Sequence, residues 1–281
     1  MAWTLTDDLT AYDAAVRSLI DEQPERYTVL ATVLDALLRH GPTVFGADPP
    51  LLGWWPSGGA VRAALLRTPP HPLQLTRLCD QAAAELAELL APAHAAGLRE
   101  VNGAVDDARK FAREWSARTG AAYDVRWRQR LHRLGTLTPP EPPPAGAVRV
   151  AVPADSALVH EWTDAFSAET GQRASASIAD ERLRAGSLLL WEVAGRPVSM
   201  AAVTAIVAGV ARIGQVYTPP GQRGRGYGGA ITTAATRLVL ERGAKSVVLF
   251  TDLANPVSNA LYARLGYQPL ADTVVIAFEP A

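Results

Sequence analysis

Five of the ten residues in TPPEPPPAGA, 138 to 147, are proline, so no helix or central strand can run through them. Each proline lacks a backbone donor and biases the residue before it away from the helical region. A chain of 281 residues is thereby divided near its middle, which predicts two domains joined by a semi-rigid polyproline spacer. The expected boundaries are 1–137 for the first domain, 138–147 for the linker and 148–281 for the second.

The halves are related in sequence. Written without a gap, LLGWWPSGGAVRAALLRT (51 to 68) and LLLWEVAGRPVSMAAVTA (188 to 205) match Leu51 with Leu188, Leu52 with Leu189, Trp54 with Trp191, Gly58 with Gly195, Val61 with Val198 and Ala64 with Ala201. Both read as strand, tight glycine turn, strand. The offset of about half the chain suggests an ancestral duplication.

Periodicity predicts the remaining elements. In the second half VRVAV (148 to 152) is a strand, Asp155 caps a helix that Gly171 ends, and a hairpin spans 187 to 207. VARIGQVY (210 to 217) is a strand; Ile231, Ala234, Ala235, Leu238 and Val239 recur at helical spacing up to Gly243. SVVLFTDL (246 to 253) is a continuous apolar run, read as a strand buried on both faces and parallel to its predecessor. Asn255 caps a helix with Pro256 in its first turn, and DTVVIAFEP closes the chain as a strand. The first half predicts helices near 7–21, 26–40, 80–95 and 105–118 and, besides the hairpin, strands near 72–78, 98–102 and 122–134.

Composition restricts the function. With 48% hydrophobic and 20% charged residues and a formal net charge of −1, the chain reads as a soluble globular protein rather than a binder of nucleic acid or membrane surface, whose partners demand a basic excess. The locally basic WRQRLHR (127 to 133) reads as the exposed side of a strand. No apolar run reaches the roughly 18 residues of a membrane span. The single Cys79 forms no internal disulfide and reads as a small buried residue; with a start, MAWTLTDDLT, that lacks a secretory pattern, it predicts a cytoplasmic location. Arginine outnumbers lysine 25 to 2, a usage expected of a GC-rich bacterial genome.

The chemistry concentrates in VYTPPGQRGRGYGGA, 216 to 230, which has no counterpart in the first half: there the strand runs through Cys79 and Asp80 into DQAAAELAELL. A strand, a glycine-rich turn and a helix make an anion site, because free N–H groups and the helix dipole point at the ligand and glycine permits close approach. The triphosphate pattern G-x-x-x-x-G-K-[ST] begins at Gly221 and Gly226 but meets Tyr227 and Gly228 where Lys and Ser or Thr are required. The dinucleotide pattern G-x-G-x-x-G is satisfied by Gly224, Gly226 and Gly229, with Asp252 at the end of the next strand. Five residues separate that pattern from its strand, and only about thirty follow Asp252, which weighs against a dinucleotide fold.

A third pattern accounts for the whole loop. Arg223, Gly226 and Gly228, with Pro220 before them, fit Q/R-x-x-G-x-G/A, and NPVSNALYARLGY (255 to 267) fits N-x-x-A-x-x-L-Y-x-x-x-G-F/Y, with Ser258 where alanine is common. In these two motifs residues 148 to 281 resemble the GCN5-related N-acetyltransferase (GNAT) family; residues 1 to 137 share only its skeleton, similar to family members with a second, degenerate copy of the fold. The resemblance implies an α/β fold, two tandem domains each with a mixed sheet flanked by helices, and acetyl-coenzyme A as co-substrate.

It further implies that the cofactor lies where strands 210–218 and 246–253 splay apart. Its pantetheine arm would pair with backbone at Val216, Tyr217 and Thr218, and its pyrophosphate would sit on the N–H groups of Arg223, Gly224, Arg225, Gly226, Tyr227, Gly228 and Gly229. Arg223 and Arg225 would add charge-assisted contacts. Asn255, Asn259 and Tyr262 share one face of the last helix, opposite Val257, Ala260, Leu261 and Leu265. By the family's pattern Asn255 and Asn259 meet the cofactor arm, and Tyr262 is the general acid that protonates the departing thiolate. The acceptor would be a small-molecule or peptide amine that attacks the thioester directly, without a metal. The usual carboxylate base is missing from VARIGQVY, leaving Glu192 and Asp252 as candidates; an acyl-coenzyme A sensor without turnover is the competing function.

Overall fold

Twice along the chain the same order of ten elements is laid down: strand, two helices, three strands, helix, strand, helix, strand. The computed structural model describes residues 2–95, 97–171 and 176–279. The first round comprises β1 (Thr4–Thr6), α1 (Leu9–Glu22), α2 (Thr28–His40), β2 (Leu51–Ser57), β3 (Ala60–Arg67), β4 (Leu73–Thr76), α3 (Asp80–His94), β5 (Glu100–Ala104), α4 (Val105–Thr119) and β6 (Ala122–Leu134). The second comprises β7 (Ala147–Val150), α5 (Ser156–Thr170), α6 (Ala176–Arg184), β8 (Leu188–Val193), β9 (Arg196–Val203), β10 (Val210–Tyr217), α7 (Tyr227–Glu241), β11 (Ser246–Asp252), α8 (Pro256–Arg264) and β12 (Tyr267–Glu279). Among the described residues no helix is long and apolar enough to cross a membrane.

The chain forms two compact units, and their bounds follow contact rather than sequence order. The first takes residues up to Leu131, Asp252–Ala254 and the last strand from Ala271; the second takes His132–Thr251 and Asn255–Leu270. The last strand joins the first unit because β12 pairs with β5 in antiparallel register, from Thr273↔Ala104 to Ala277↔Glu100. Strand pairing is non-local, so nothing in DTVVIAFEP itself specifies its partner.

In the first unit β3 alternates cleanly between two faces. Ala63 and Leu65 enter the cluster that α3 and α4 close with Leu86, Leu90, Phe111 and Trp115. Phe111 and Trp115 stack at 5.6 Å, and Phe278 of β12 packs against both, at 6.3 and 6.0 Å. On the other face Tyr12 of α1, fully buried, donates to the carbonyl of Leu65 at 2.8 Å. Cys79 is exposed rather than buried, because it sits at the N-cap of α3, where its sulfur accepts from Ala82 N–H at 3.4 Å.

In the second unit the apolar run of β8 is buried on both faces. Leu189, Ala201, Val203, Ala211 and Ile213 face α7, with Ile231, Ala235 and Val239. Leu188, Leu190, Met200, Ala202 and Tyr217 face the other way, toward Val159 and Trp162 of α5 and Ala179 and Leu183 of α6. The stretch 171 to 186 contains α6, while its residues 172–175 lie outside those described. Asp155 does not cap α5 with its side chain. Its carboxylate takes two bonds from Arg149, at 2.6 and 2.8 Å, and one from Val152 N–H at 2.8 Å; Arg149 holds it below the usual carboxylate range.

The proline-rich stretch is part of the second unit rather than a free spacer. Thr138 N–H donates to Leu265 O at 3.1 Å and Trp191 Nε1–H to Ala145 O at 3.0 Å. Pro140 and Pro144 lie where side chains at Gly229 and Gly226 would meet them, at 3.9 and 3.6 Å.

Helix α8 corrects the expected apolar face. Val257 is 76% exposed and Ala260 is exposed as well, whereas Tyr262 and Leu265 are buried in the cluster shared with Ile213 and Ile231. A nine-residue helix is marginal alone; α8 stands on those two side chains and on Asn255, whose Oδ1 accepts from Ser258 N–H at 3.1 Å.

Candidate functional site

Strands β10 and β11 run parallel and then part. Their register holds from Val210↔Ser246 to Ile213↔Leu249, while β10 continues to Tyr217 and β11 to Asp252. On its other edge β10 follows β9 with a bulge between Gly214 and Tyr217, where Gln215 adopts φ +47°. A bulge adds a residue and bends the strand, so the backbone of Gly214 to Tyr217 turns out of the ladder toward the gap. Its far end is pinned: Ser199 Oγ–H donates to Tyr217 O at 2.9 Å, and Thr218 Oγ1 lies 2.9 Å from Ser199 Oγ.

The glycine loop closes one end of this wedge. Gly224 and Gly226 take φ +76° and +84°, the left-handed region where a side chain is strained, and Gly226 is the N-cap of α7. Among the described residues α7 has no side-chain cap and no acid in its first turn, so the N–H groups of Tyr227, Gly228 and Gly229 are those a helix start leaves without partners inside the helix. Helix α3 of the first unit is built the opposite way, with Cys79 as a capping acceptor and Asp80 in the first turn. A carboxylate there repels an anion, so of these two helix starts that of α7 is the one suited to hold one.

Arg223 acts on the loop itself. Its Nε–H donates to Thr218 O at 2.8 Å, and Nη2 bridges both carboxylate oxygens of Glu169 on α5 at 2.7 Å. The side chain that sequence reasoning aimed at phosphate therefore ties the loop to α5, while Arg225 is exposed on the loop.

Tyr262 is buried (8% exposed) and meets Tyr267 edge-on at 6.1 Å. Its hydroxyl pairs with Thr232 of α7, and because Thr232 Oγ1–H already donates to Gly228 O at 2.8 Å, the phenol is the donor. Burial pushes its pKa up to about 12, so the phenol keeps its proton at neutral pH. One turn on, Thr236 Oγ1 lies 2.7 Å from Tyr267 Oη. The paired threonines were legible only as an i, i+4 spacing on α7.

Asn259 takes part in a hydrogen-bond chain that sequence reasoning missed. Its Nδ2–H donates to Asn255 O at 2.8 Å, and its Oδ1 accepts from Thr251 Oγ1–H at 2.6 Å. Thr251 Oγ1 is 3.0 Å from Nε2 of His132, itself 4% exposed. A hydroxyl has one proton, so Thr251 accepts from His132, which requires the tautomer protonated at Nε2. Asn255 and Asn259 thus fix the end of β11 against α8. Thr251→Val should keep the shape and remove the hydroxyl that joins the chain, with an expected loss of about 1–3 kcal/mol in denaturant unfolding; Thr251→Ser should retain most of the stability.

The two carboxylates considered as bases have other roles. Glu192 accepts from Arg149 Nε–H at 2.7 Å, and exposed Asp252 accepts from Ala254 N–H at 2.8 Å in a turn. Sequence reasoning also passed over Gln215, although Gly214 inside a strand was a cue for a bulge.

Comparison with known proteins agrees with this geometry. The acetyltransferase (GNAT) family matches residues 155–267. A GCN5-related N-acetyltransferase from Kribbella flavida is similar over 91% of this chain and 96% of its own, at 20% identity and a TM-score of 0.62. A tandem GNAT protein from the clavulanic acid biosynthesis pathway is similar over 99% and 98%, at 15% identity and 0.60. A Drosophila protein reaches 0.71 over 99% and 98%, at 14% identity. At these identities the structures show a shared fold. No curated protein sequence matches the chain.

Proposed function

Because residues 155–267 form a domain of the acetyltransferase (GNAT) family, we propose that the chain transfers an acetyl group from acetyl-coenzyme A to a primary amine, with the second unit as its catalytic part. The observation that carries this reading is the uncapped, acid-free start of α7 behind a glycine loop, opening on the gap between β10 and β11. Acetyl-coenzyme A, when bound, supplies the thioester that makes the acetyl group transferable. The first-turn N–H groups of α7 would hold its pyrophosphate, and the bulged backbone from Gln215 to Thr218 would orient the acyl end and stabilise negative charge on the carbonyl oxygen. Tyr262 holds a proton beside the start of α7, where a departing thiolate would take it.

With Glu192 and Asp252 otherwise engaged, a second reading is an acyl-coenzyme A sensor that binds without turnover. Calorimetric titration with acetyl-coenzyme A, with NAD and NADP as controls, tests the shared part of both. Saturable binding of acetyl-coenzyme A alone is expected, weakened at least tenfold when Gly226 and Gly228 are both replaced by valine. Dinucleotide binding, or no binding, would overturn both readings, and amine-dependent release of free thiol separates enzyme from sensor.

A further inference from the structure

The face of the second unit's sheet that carries α7 holds a cavity of about 540 Å³ that the proposed chemistry does not use. It arises at the end of the sheet: α7 packs on β8, β9 and β10, while β7 lies beyond them as the edge strand. Register places Val148 opposite Trp191 and Val150 opposite Leu189. Leu189 and Trp191 belong to the cluster under α7, so both valines point to that side as well. They are left 42% and 40% exposed and form part of the cavity floor. Pro139, Pro140, Pro143 and Pro144 of the proline-rich stretch make one wall, and α7 makes the other. No residue of β10 or β11 lines it, so it is separate from the wedge.

The α7 wall is a single stripe of the helix, and its chemistry changes along it. Ala230, Ala234 and Leu238 continue the apolar surface of the prolines and valines, whereas Arg237 and Glu241 line the cavity and are exposed, which places them at its rim. Among the described residues neither of these two side chains forms an ion pair or a hydrogen bond. Elsewhere in the chain an acid four residues before an arginine closes such a pair: Asp13 with Arg17 on α1, Asp35 with Arg39 on α2 and Glu114 with Arg118 on α4. On α7 the order is reversed, which is the weaker arrangement, and both charges stay open. Arg149, the remaining charged residue of the lining, is already bonded to Asp155 and Glu192.

A molecule that fits this cavity has an apolar body and both charges at one end. A lone anion would be drawn to Arg237 and repelled by Glu241 one turn on, and a lone cation the reverse. We propose that the cavity binds a free α-amino acid with a large apolar side chain, its carboxylate on Arg237, its ammonium on Glu241 and its side chain between the prolines and the valines. The two charged groups of an amino acid hang on one carbon, and i, i+4 neighbours on a helix are about 5–6 Å apart at Cβ, so both can be met at once. The volume is in the roughly 300–1,000 Å³ range of small-molecule sites. This site stands whether or not the chain transfers acetyl groups.

The test is calorimetric titration of the full chain with leucine, phenylalanine and tryptophan. At least one should bind saturably, with Kd below about 1 mM. The tightest binder is then compared with its truncated analogues, which for phenylalanine are phenethylamine, 3-phenylpropionate and alanine. Each analogue that lacks one charge should bind about fivefold or more weakly, and alanine, which lacks the apolar body, about tenfold or more weakly. Arg237→Gln should erase the advantage over the amine analogue, and Glu241→Gln the advantage over the acid analogue. Both substitutions are on the exposed side of α7 and should leave the unfolding midpoint close to that of the parent. Ala234→Phe, which fills the cavity, should weaken binding on the order of tenfold. No binding of any of the three amino acids, a singly charged analogue that binds as tightly, or binding that both charge variants leave unchanged would overturn the proposal. So would sedimentation showing, in place of amino-acid binding, a dimer that Val148→Arg dissociates, which would give the groove to a second copy of the chain.

Discussion

Replacing Gly266 with alanine should cost the second unit about 4 kcal/mol or more, enough to unfold a domain of ordinary stability. Gly266 has φ +92°, and a Cβ built there would lie 1.8 Å from Thr136 O and 2.9 Å from Thr136 C. The neighbour is backbone, not a side chain that can swing away. It is also pinned on both sides, since Gly135 N–H donates to Gly266 O at 2.9 Å and Thr138 N–H to Leu265 O at 3.1 Å. Strain at the left-handed φ adds to the clash. Denaturant unfolding of Gly266→Ala should show a large loss, while Gly221→Ala, where nothing lies within 4 Å, should stay within about 0.5 kcal/mol of the parent. Equal midpoints for the two variants would mean that the approach of residues 135–138 to the end of α8 is wrong.

Tyr262→Phe should lower amine-dependent turnover about a hundredfold while acetyl-coenzyme A binds as before. The hydroxyl that vanishes is the buried donor to Thr232, and the ring that remains keeps its contact with Tyr267. The pH dependence carries its own sign. Burial raises the phenol from 10.0 to about 12, so the stability this phenol contributes is complete below pH 10 and is lost as pH rises through 12. Wild-type activity should accordingly show no alkaline fall from this group below about pH 11, and the phenylalanine variant should lose less stability between pH 10 and 12. A variant with full kcat would remove Tyr262 from the chemistry and leave it a packing residue.

Helices and their ends were largely legible. Asn255 as a cap, Gly171 at φ +67° closing α5 and the glycine loop before α7 all follow from what a few consecutive residues can do with their own backbone. Faces were less so. On α8 the apolar Val257 is exposed while the polar-tipped Tyr262 is buried, because the neighbours above the helix, not its own periodicity, decide which side is covered. Cys79 is a similar case: its type suggests burial, and its place at the head of α3 exposes it.

The site divides in the same way. Proline, glycine and hydrophobic spacing determined by themselves that two related halves exist and that only the second has a glycine-rich turn leading into a helix, since each of these signals acts over a few residues through φ, ψ and missing side chains. Only the tertiary structure decided that β12 pairs with β5, that β10 and β11 part after Ile213, that Gln215 sits in a bulge under Arg182, and that His132 reaches Thr251. Those contacts join residues 33 to 177 positions apart, and their energy exists only once the chain has closed the loops between them.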